Sequence, residues 1–304
     1  TSYSNSGIQT IPFYIFYSMF GFQRIGDLAW AAGDSRSRGF LLGATAGRTT
    51  LNGEGLQHED GHSHLLSATI PNCISYDPCF SYELAVIIQN GLERMIKNQE
   101  DVFYYITIMN ENYTHPEMPK NINEDIIKGI YKYSENKAKG PKVQLMGSGV
   151  ILREVIEAGN ILEKDFNVSS SIFSVTSFTE VRRNALDIQR WNMLNPDKTE
   201  KKSTLDEIII DLESPIITAT DYMKSFAEQI STFLPNKFIS LGTDGFGRSD
   251  SREALRDFFE VDRNHIVIAA LKALTEKQEI EKSVLLSAIK KYKIMNDKPN
   301  PVSL

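Results

Sequence analysis

Short apolar runs recur through the first half of the chain, and turn-forming residues bound each of them. They cover residues 11–17, 40–44, 72–76 and 102–109 and are rich in β-branched and aromatic side chains, as buried strands are. Between the last two runs, from Phe80 to Ile96, apolar residues recur at helical spacing. Strands that alternate with helices in this way predict a parallel α/β sheet.

The second half of the chain repeats this alternation. Strands are predicted near residues 143–147, 171–176, 215–220 and 238–242, and helices near residues 150–164, 178–191, 222–233, 251–258 and 279–292. A polar, charged run from Ser134 to Pro141 separates the halves and ends in Gly-Pro, which is typical of a domain boundary. We therefore expect two domains, residues 1–138 and residues 139–304.

The composition is that of an ordinary folded protein. Of the 304 residues, 41% are hydrophobic and 24% are charged, which allows two buried cores. The net charge of −6, with bases and acids interspersed, argues against nucleic-acid binding. No apolar run reaches the roughly 18 to 20 residues of a membrane span. The spacing of Cys73 and Cys79 is not that of metal ligands, and we interpret both as reduced thiols. Because reduced cysteines are typical of the cytoplasm, we expect a cytoplasmic protein.

A polar loop from Gly53 to His64 holds three of the five histidines, three carboxylates and three glycines. So few apolar residues and so many glycines favour a functional loop over core or helix. His58 and His62, with Glu59 between them, match the letters of the zinc-protease signature His-Glu-x-x-His. That signature needs a helix, which the glycines interrupt, and no third ligand stands out. The alternative is that imidazoles and a carboxylate bind and protonate a small anionic substrate.

Aromatic residues crowd the strand predicted at 11–17 and the turn that follows it. Buried-strand packing explains Phe13 and Phe16. Tyr17 and Phe20 come at the carboxyl end of the strand, which is the edge where open α/β sheets bind ligands. These two residues are therefore candidates for lining a site. The polar start, Thr1-Ser-Tyr-Ser, followed so soon by a dense apolar strand, also predicts that the chain begins inside a domain.

Three segments, residues 13–27, 47–63 and 241–250, carry a resemblance that extends over essentially the whole chain. The sequence resembles the homodimeric bacterial pyruvate dehydrogenase family, the decarboxylating component of the pyruvate dehydrogenase complex. The resemblance implies a transketolase-like α/β fold, in which the end of a parallel-sheet, pyrimidine-binding domain precedes a C-terminal mixed-sheet domain. It also implies a homodimeric oxidoreductase that uses thiamine diphosphate and Mg²⁺ to decarboxylate pyruvate. The acetyl group then passes to the lipoyl domain of a dihydrolipoyl acetyltransferase and feeds acetyl-CoA synthesis.

The resemblance also assigns roles to individual residues. Phe20 matches the aromatic residue that packs on the aminopyrimidine ring, and Tyr17 matches the tyrosine beside the reacting carbon. Tyr17 is thus both a catalytic and a cofactor-binding candidate. Glu54 and His58 match the acid and the imidazole on the substrate side, whereas His62 and His64 have no firm match.

Other parts of the family's site have no counterpart in this chain. The family holds the diphosphate and Mg²⁺ with a Gly-Asp-Gly motif in an N-terminal domain. It activates the aminopyrimidine with a glutamate that precedes the strand matching residues 11–17. We therefore expect no metal ligand and no activity from these 304 residues alone.

Two other functions remain open at this point. One is a transketolase-type two-carbon transfer enzyme, because that architecture is shared and a fold does not determine function. Release of carbon dioxide from pyruvate, or two-carbon transfer between sugar phosphates, would distinguish the two enzymes. The other is a dimerisation or docking module without chemistry of its own.

Overall fold

The computed structural model describes residues 7–304 except Gln9. Residues 1–6, including the polar start that precedes the first predicted strand, lie outside the described residues. The described residues form two sheets.

The first sheet has four parallel strands in the order β1-β2-β4-β3. Their bounds are β1 (Phe13–Tyr17), β2 (Phe40–Ala44), β3 (Cys73–Tyr76) and β4 (Phe103–Ile108). These strands fall where the apolar runs predicted them. β4 is central and buried. The prediction of a buried strand is wrong for β1 and for Phe13, because β1 is an edge strand whose large side chains are 42–65% exposed at positions 13, 14, 15 and 17. Because all four strands are parallel, the loops that follow them meet at one edge of the sheet.

Four helices accompany this sheet: α1 (Phe22–Asp34), α2 (Ser63–Ser67), α3 (Ser81–Leu92) and α4 (Asn123–Lys128). The helix predicted from Phe80 to Ile96 is α3, extended by a π-helical turn at Glu93–Lys97. Glu83 secures the start of α3, because its Oε2 accepts hydrogen bonds from the backbone N–H groups of Cys79 and Phe80.

The second sheet has five strands in the order β5-β7-β6-β8-β9, with only β5 antiparallel to its neighbour. The strands are β5 (Tyr131–Glu135), β6 (Lys142–Gly147), β7 (Ser169–Ser174), β8 (Ile216–Ala219) and β9 (Phe238–Leu241). The helices are α5 (Leu152–Phe166), α6 (Phe178–Leu194), α7 (Thr204–Ile208), α8 (Ser225–Glu228), α9 (Arg252–Phe258), α10 (Arg263–Glu276) and α11 (Lys282–Lys291). The predicted α/β class, with a parallel first sheet and a mixed second sheet, is confirmed.

Several details of the second half differ from the prediction. β5 lies before the boundary expected at residue 139 and pairs with β7, so the second sheet begins earlier in the chain. The sequence of β5 has the polar pattern of a linker, because this edge strand exposes most of its polar residues. The helix expected at 222–233 is only α8 followed by a 3₁₀ turn, Ser231–Phe233. Helix α10 was not predicted, because its nearly continuous apolar run at 266–271 hides the helical period.

Asp77, which directly follows β3, joins the two halves of the molecule. Its backbone N–H donates to the carbonyl of Thr176, and its own carbonyl accepts from the N–H of Gly149. Its carboxylate accepts hydrogen bonds from the hydroxyl groups of Thr107 and Ser148 at 2.7 and 2.8 Å. Burial raises the pKa of the Asp77 carboxyl to about 7. The second domain therefore packs on the edge of the first sheet where the strands end.

Among residues 7–304 without Gln9, none of the helices is both long and apolar enough to cross a bilayer.

Candidate active site

An aromatic turn at the carboxyl end of β1 forms one side of the candidate site. Tyr17 is the last residue of β1, and Ser18–Phe20 form a 3₁₀ turn directly after it. The ring centroids of Tyr17 and Phe20 are 5.9 Å apart. The guanidinium of Arg24 lies over the Phe20 ring at 4.2 Å from its centroid, a cation–π arrangement. The turn thus presents two partly exposed rings at the edge where the strands of the first sheet end.

The loop that follows β2 brings His58 onto these rings. Gly53 has φ +74°, a left-handed conformation that glycine adopts without strain, and Leu56–His58 form a 3₁₀ turn. The His58 ring lies 5.3 Å from Tyr17 and 5.1 Å from Phe20, measured between centroids, and meets Phe20 edge-on. Three aromatic rings from two distant segments therefore converge.

Glu54 completes the group. Its Oε2 lies 3.2 Å from Nδ1 of His58, with side-chain exposures of 42% for Glu54 and 26% for His58. Nδ1 is buried and, within the described part of the chain, lacks a partner with hydrogen-bond geometry, so the carboxylate is beside the imidazole rather than bonded to it. All four residues predicted for the site, Tyr17, Phe20, Glu54 and His58, are thus brought together.

The other two histidines of the loop have different surroundings. Nε2 of His62 lies 2.7 Å from Oε1 of Gln23 at the exposed rim. His64 is fully buried, stacks on Phe226 at 4.7 Å and places Nε2 at 3.0 Å from the hydroxyl of Thr107. Burial lowers the pKa of His64 to about 4, so this imidazole is neutral and structural.

The zinc-protease reading of the loop lacks its helix. His58 ends a 3₁₀ turn and His62 precedes α2, so the two imidazoles do not share a helical face. Within the part of the chain that the structure describes, the group of metal-ligating side chains with suitable spacing is Asp257, Asp262 and His265, in the second domain. That group includes none of the histidines of the loop.

Glu59, directly after His58, is buried and contacts the second domain, which the sequence does not predict. Its Oε2 accepts a hydrogen bond of 2.6 Å from the backbone N–H of Arg248, while its Oε1 is buried and has no partner among the residues that the structure describes. Burial raises the pKa of this carboxyl to about 8. A Cβ on Gly247 would lie 2.6 Å from the carbonyl oxygen of Leu56, so only glycine allows this close approach. The second domain therefore presses directly on the His58 turn.

The second domain also holds the start of the loop. The Asp221 carboxylate accepts hydrogen bonds from the backbone N–H of Thr49 and the hydroxyl of Thr50, at 2.9 and 2.7 Å. The buried guanidinium of Arg48 donates to the carbonyl of Thr243, and burial lowers the pKa of Arg48. The segment that leads into the loop, residues 48–50, and Glu59 within the loop are thus both held by residues far away in sequence. Such contacts leave no local sequence pattern.

The side chains of the ring cluster are partly exposed. A cavity of about 640 Å³ lies elsewhere, in the second domain, and is lined by charged side chains. Its lining residues are Glu154, Arg252, Glu253, Arg256, Asp257, Asp262, Arg263 and Asn264. None of the four predicted site residues belongs to it.

Comparisons with known proteins bear on the identity of the chain. Two family models match: the middle domain of the pyruvate dehydrogenase E1 component over residues 1–116, and the transketolase-like C-terminal domain over residues 129–262. The second match begins just before β5, in agreement with the membership of β5 in the second sheet.

Curated relatives match along the whole chain. The pyruvate dehydrogenase E1 component of Cupriavidus necator is 58% identical over 306 residues, covering 100% of this chain and 34% of that protein. The proteins of the same name from Pseudomonas aeruginosa and Escherichia coli K12 are 59% and 58% identical, each over 99% of this chain and 34% of their own length. The chain thus spans about a third of the length of the curated relatives it matches.

Solved structures confirm the transketolase-like fold. Transketolase from Campylobacter jejuni superposes with a TM-score of 0.65 at 16% identity, over 86% of this chain and 35% of that one. A split-gene transketolase, described as an inactive beta4 tetramer, superposes with a TM-score of 0.60 at 15% identity, over 90% of this chain and 78% of that one. Identities this low show the shared fold alone. The family models and the identities near 58% show more, namely that this chain belongs to the family of pyruvate dehydrogenase E1 components.

Proposed function

We propose that the protein containing this chain decarboxylates pyruvate with thiamine diphosphate and passes the acetyl group to a lipoyl domain. One observation carries the proposal. Tyr17, Phe20, Glu54 and His58 converge at the carboxyl edge of the first sheet, in a chain that resembles pyruvate dehydrogenase E1 components at 58% identity. This edge is where open α/β sheets bind ligands.

The residues present fit one end of the cofactor. Tyr17 and Phe20 offer partly exposed aromatic surface on which a flat heteroaromatic ring can pack. In this proposal Phe20 packs on the aminopyrimidine and Tyr17 lies beside the reacting carbon. When bound, thiamine diphosphate supplies the nucleophilic carbon and accepts the electron pair released as carbon dioxide departs.

The chain's own polar groups would act on the substrate. Among the residues that the structure describes, the buried Nδ1 of His58 has no hydrogen-bond partner, and it lies 3.2 Å from Oε2 of Glu54. We assign His58 as the donor to the substrate carboxylate or to the oxygen that becomes negative. We assign Glu54 to orient the imidazole. A donor in a site shielded from water stabilises developing charge more strongly than it would in solution.

The remaining parts of the site would come from the rest of the longer protein. We propose that the diphosphate and Mg²⁺ are bound outside these 304 residues, and that the enzyme is a homodimer that docks the lipoyl domain of an acetyltransferase. The length of the relatives supports this, since the chain matches 34% of each. Cys73 and Cys79 are free and buried, which suits the reducing conditions of the cytoplasm, where we place the enzyme.

Two-carbon transfer between sugar phosphates is the less favoured alternative. The transketolase structures share about 15% of residues with this chain, whereas the pyruvate dehydrogenase relatives share close to 60%.

A substrate comparison tests the proposal. The full-length protein, supplied with thiamine diphosphate and Mg²⁺, should release labelled carbon dioxide from pyruvate labelled at its carboxyl carbon. It should not transfer two carbons from xylulose 5-phosphate to ribose 5-phosphate. The reverse result would overturn the proposal in favour of a transketolase.

A second arm uses the 304-residue chain alone. It should show neither decarboxylation nor measurable calorimetric binding of thiamine diphosphate. Binding in the low micromolar range would overturn the assignment of the diphosphate and Mg²⁺ ligands to the rest of the protein.

A further inference from the structure

We propose that Asp60 is the positioning residue that holds the two halves of the candidate site together. It joins the aromatic turn that carries Tyr17 and Phe20 to the loop that carries Glu54 and His58. This inference rests on the proposed function for its kinetic consequences, although its structural content stands by itself.

The Asp60 carboxylate is fully buried, and both of its oxygens are occupied. Oδ1 accepts hydrogen bonds from the backbone N–H groups of His62 and Ser63, at 3.0 and 2.9 Å. Oδ2 accepts from the hydroxyl groups of Ser18 and Ser63. A carboxylate has lone pairs enough for these four donors, and such buried polar networks define one arrangement when every member is satisfied.

One of these four bonds connects the segments that form the site. Ser18 is buried and lies between Tyr17 and Phe20 in the 3₁₀ turn, whereas Asp60 lies two positions after His58. The Ser18–Asp60 bond therefore fixes the backbone of the aromatic turn to the backbone of the His58 loop. Another bond between the segments, from His62 to Gln23, lies at the exposed rim, where water competes for it.

The sheet itself supports this link. The Tyr105 hydroxyl, on the central strand β4, donates to the Ser63 hydroxyl at 2.7 Å. A Cβ on Gly43 of β2 would come within 2.8 Å of both the Cβ of Ser18 and the hydroxyl oxygen of Tyr105. Ser18 and Ser63 are thus packed between the Asp60 carboxylate and the two middle strands. Neither segment can shift without breaking buried hydrogen bonds or creating overlap.

The link through Asp60 matters for the placement of the rings of Tyr17, Phe20 and His58. The contacts of His58 with Tyr17 and Phe20, at 5.3 and 5.1 Å, join two segments that are distant in sequence, so they last only while the two segments keep their relative position. A displacement of about 1 Å can reduce the rate of an enzyme by about a hundredfold. Asp60 touches neither substrate nor cofactor in this scheme and acts through the placement of His58.

The test compares two buried serines in the full-length enzyme. Ser18→Ala removes the link between the segments. Ser67→Ala is the matched control, because Ser67 is equally buried and donates one hydrogen bond of 2.9 Å, to the carbonyl of His64 in its own helix. Asp60→Asn is a second variant of the link, since its amide oxygen still accepts from the two backbone N–H groups while its amide nitrogen cannot accept from the Ser18 hydroxyl.

Two measurements test the positioning role of Asp60: the distance between the rings and the kinetics with pyruvate. In crystal structures of the variants, Ser18→Ala should lengthen the distance between the Tyr17 and His58 rings, whereas Ser67→Ala should leave it unchanged. With pyruvate, Ser18→Ala should lower kcat by about 10- to 100-fold with little change in KM. Ser67→Ala should retain more than half of the activity, whereas Asp60→Asn, which loses the acceptor of the Ser18 hydroxyl, should lower kcat as Ser18→Ala does. Equal losses in the two serine variants at equal thermal midpoints, or an unchanged ring distance in Ser18→Ala, would overturn the positioning role.

The two proposals fail separately. If the wild-type enzyme releases no carbon dioxide from pyruvate, the proposed function fails, while the ring distances still test Asp60.

Discussion

The imidazole of His58 meets the ring of Phe20 edge-on at 5.1 Å, although strand β2 separates the two residues along the chain. This contact places a hydrogen-bonding side chain against the aromatic surface that we assign to the cofactor. Because the two residues are in contact, the effects of their mutations need not add, so each residue is tested with its own variant.

His58→Ala in the full-length enzyme should lower the turnover of pyruvate by about 100- to 1,000-fold, because one well-placed donor is lost. The thermal midpoint and the affinity for thiamine diphosphate should stay close to wild type, since the His58 side chain is partly exposed and Nδ1 is not bonded. Rate, thermal midpoint and cofactor affinity should be measured on the same preparation. His62→Ala is the matched control at the rim and should change the rate little. A large loss of stability in His58→Ala, or rescue of its activity by zinc, would remove His58 from the catalytic group.

Phe20→Ala should weaken the binding of thiamine diphosphate by about 1 to 3 kcal/mol, because it removes the surface on which the ring packs. The turnover at saturating cofactor should fall less than the affinity. Phe246→Ala is a suitable control, since this phenylalanine is 74% exposed and lies outside the ring cluster. Unchanged affinity together with a reduced rate of decarboxylation would contradict the packing role.

His64 should make the stability of the protein depend on pH in the acidic range. Its pKa is about 4 in the folded protein and near 6.5 when exposed, so the unfolded chain binds the extra proton between these values. The free energy of unfolding should therefore fall as the pH drops from 6.5 to 4, by on the order of 3 kcal/mol from this residue. Urea denaturation across this range should show a shallower dependence for His64→Phe. The same slope as wild type is expected for His62→Phe, and a wild-type slope in His64→Phe would refute the assignment.

Glu59 should have the opposite dependence. Burial raises its pKa from 4.5 to about 8, so the folded protein retains a proton that the unfolded chain releases. Its contribution to stability is complete below pH 4.5 and is lost as the pH rises toward 8. Glutamine resembles the protonated form and does not titrate, so Glu59→Gln should gain stability relative to wild type by more than about 1 kcal/mol between pH 5 and pH 8. Chemical denaturation of both proteins at the two pH values measures this difference, and a constant difference would show that Glu59 is ionised throughout.

The sequence predicts the first sheet well because its strands are apolar on both faces and stand out from their surroundings. Tyr17, Phe20, Glu54 and His58 were identified through the resemblance of long motifs, and the structure brings them together. Their assigned roles stay predictions.

The contacts that place these residues could not be predicted. Asp60 and Ser18 are 42 positions apart, and Glu59 and Arg248 are 189 apart, and neither pair follows a local rule. The polar alternation of β5 likewise does not identify a strand by itself, because β5 pairs with β7, which is distant in sequence.

The outer edge of β1 affects how the chain behaves in solution. Among residues 7–304 without Gln9, no strand pairs with the backbone N–H and C=O groups along that edge, and the exposed side chains beside them are aromatic or branched. An edge of this kind pairs readily with any other extended segment, and charged residues or proline usually protect it. When this chain is produced alone, its tendency to aggregate will therefore depend on the five residues of β1, at the edge of a sheet whose central strand is buried.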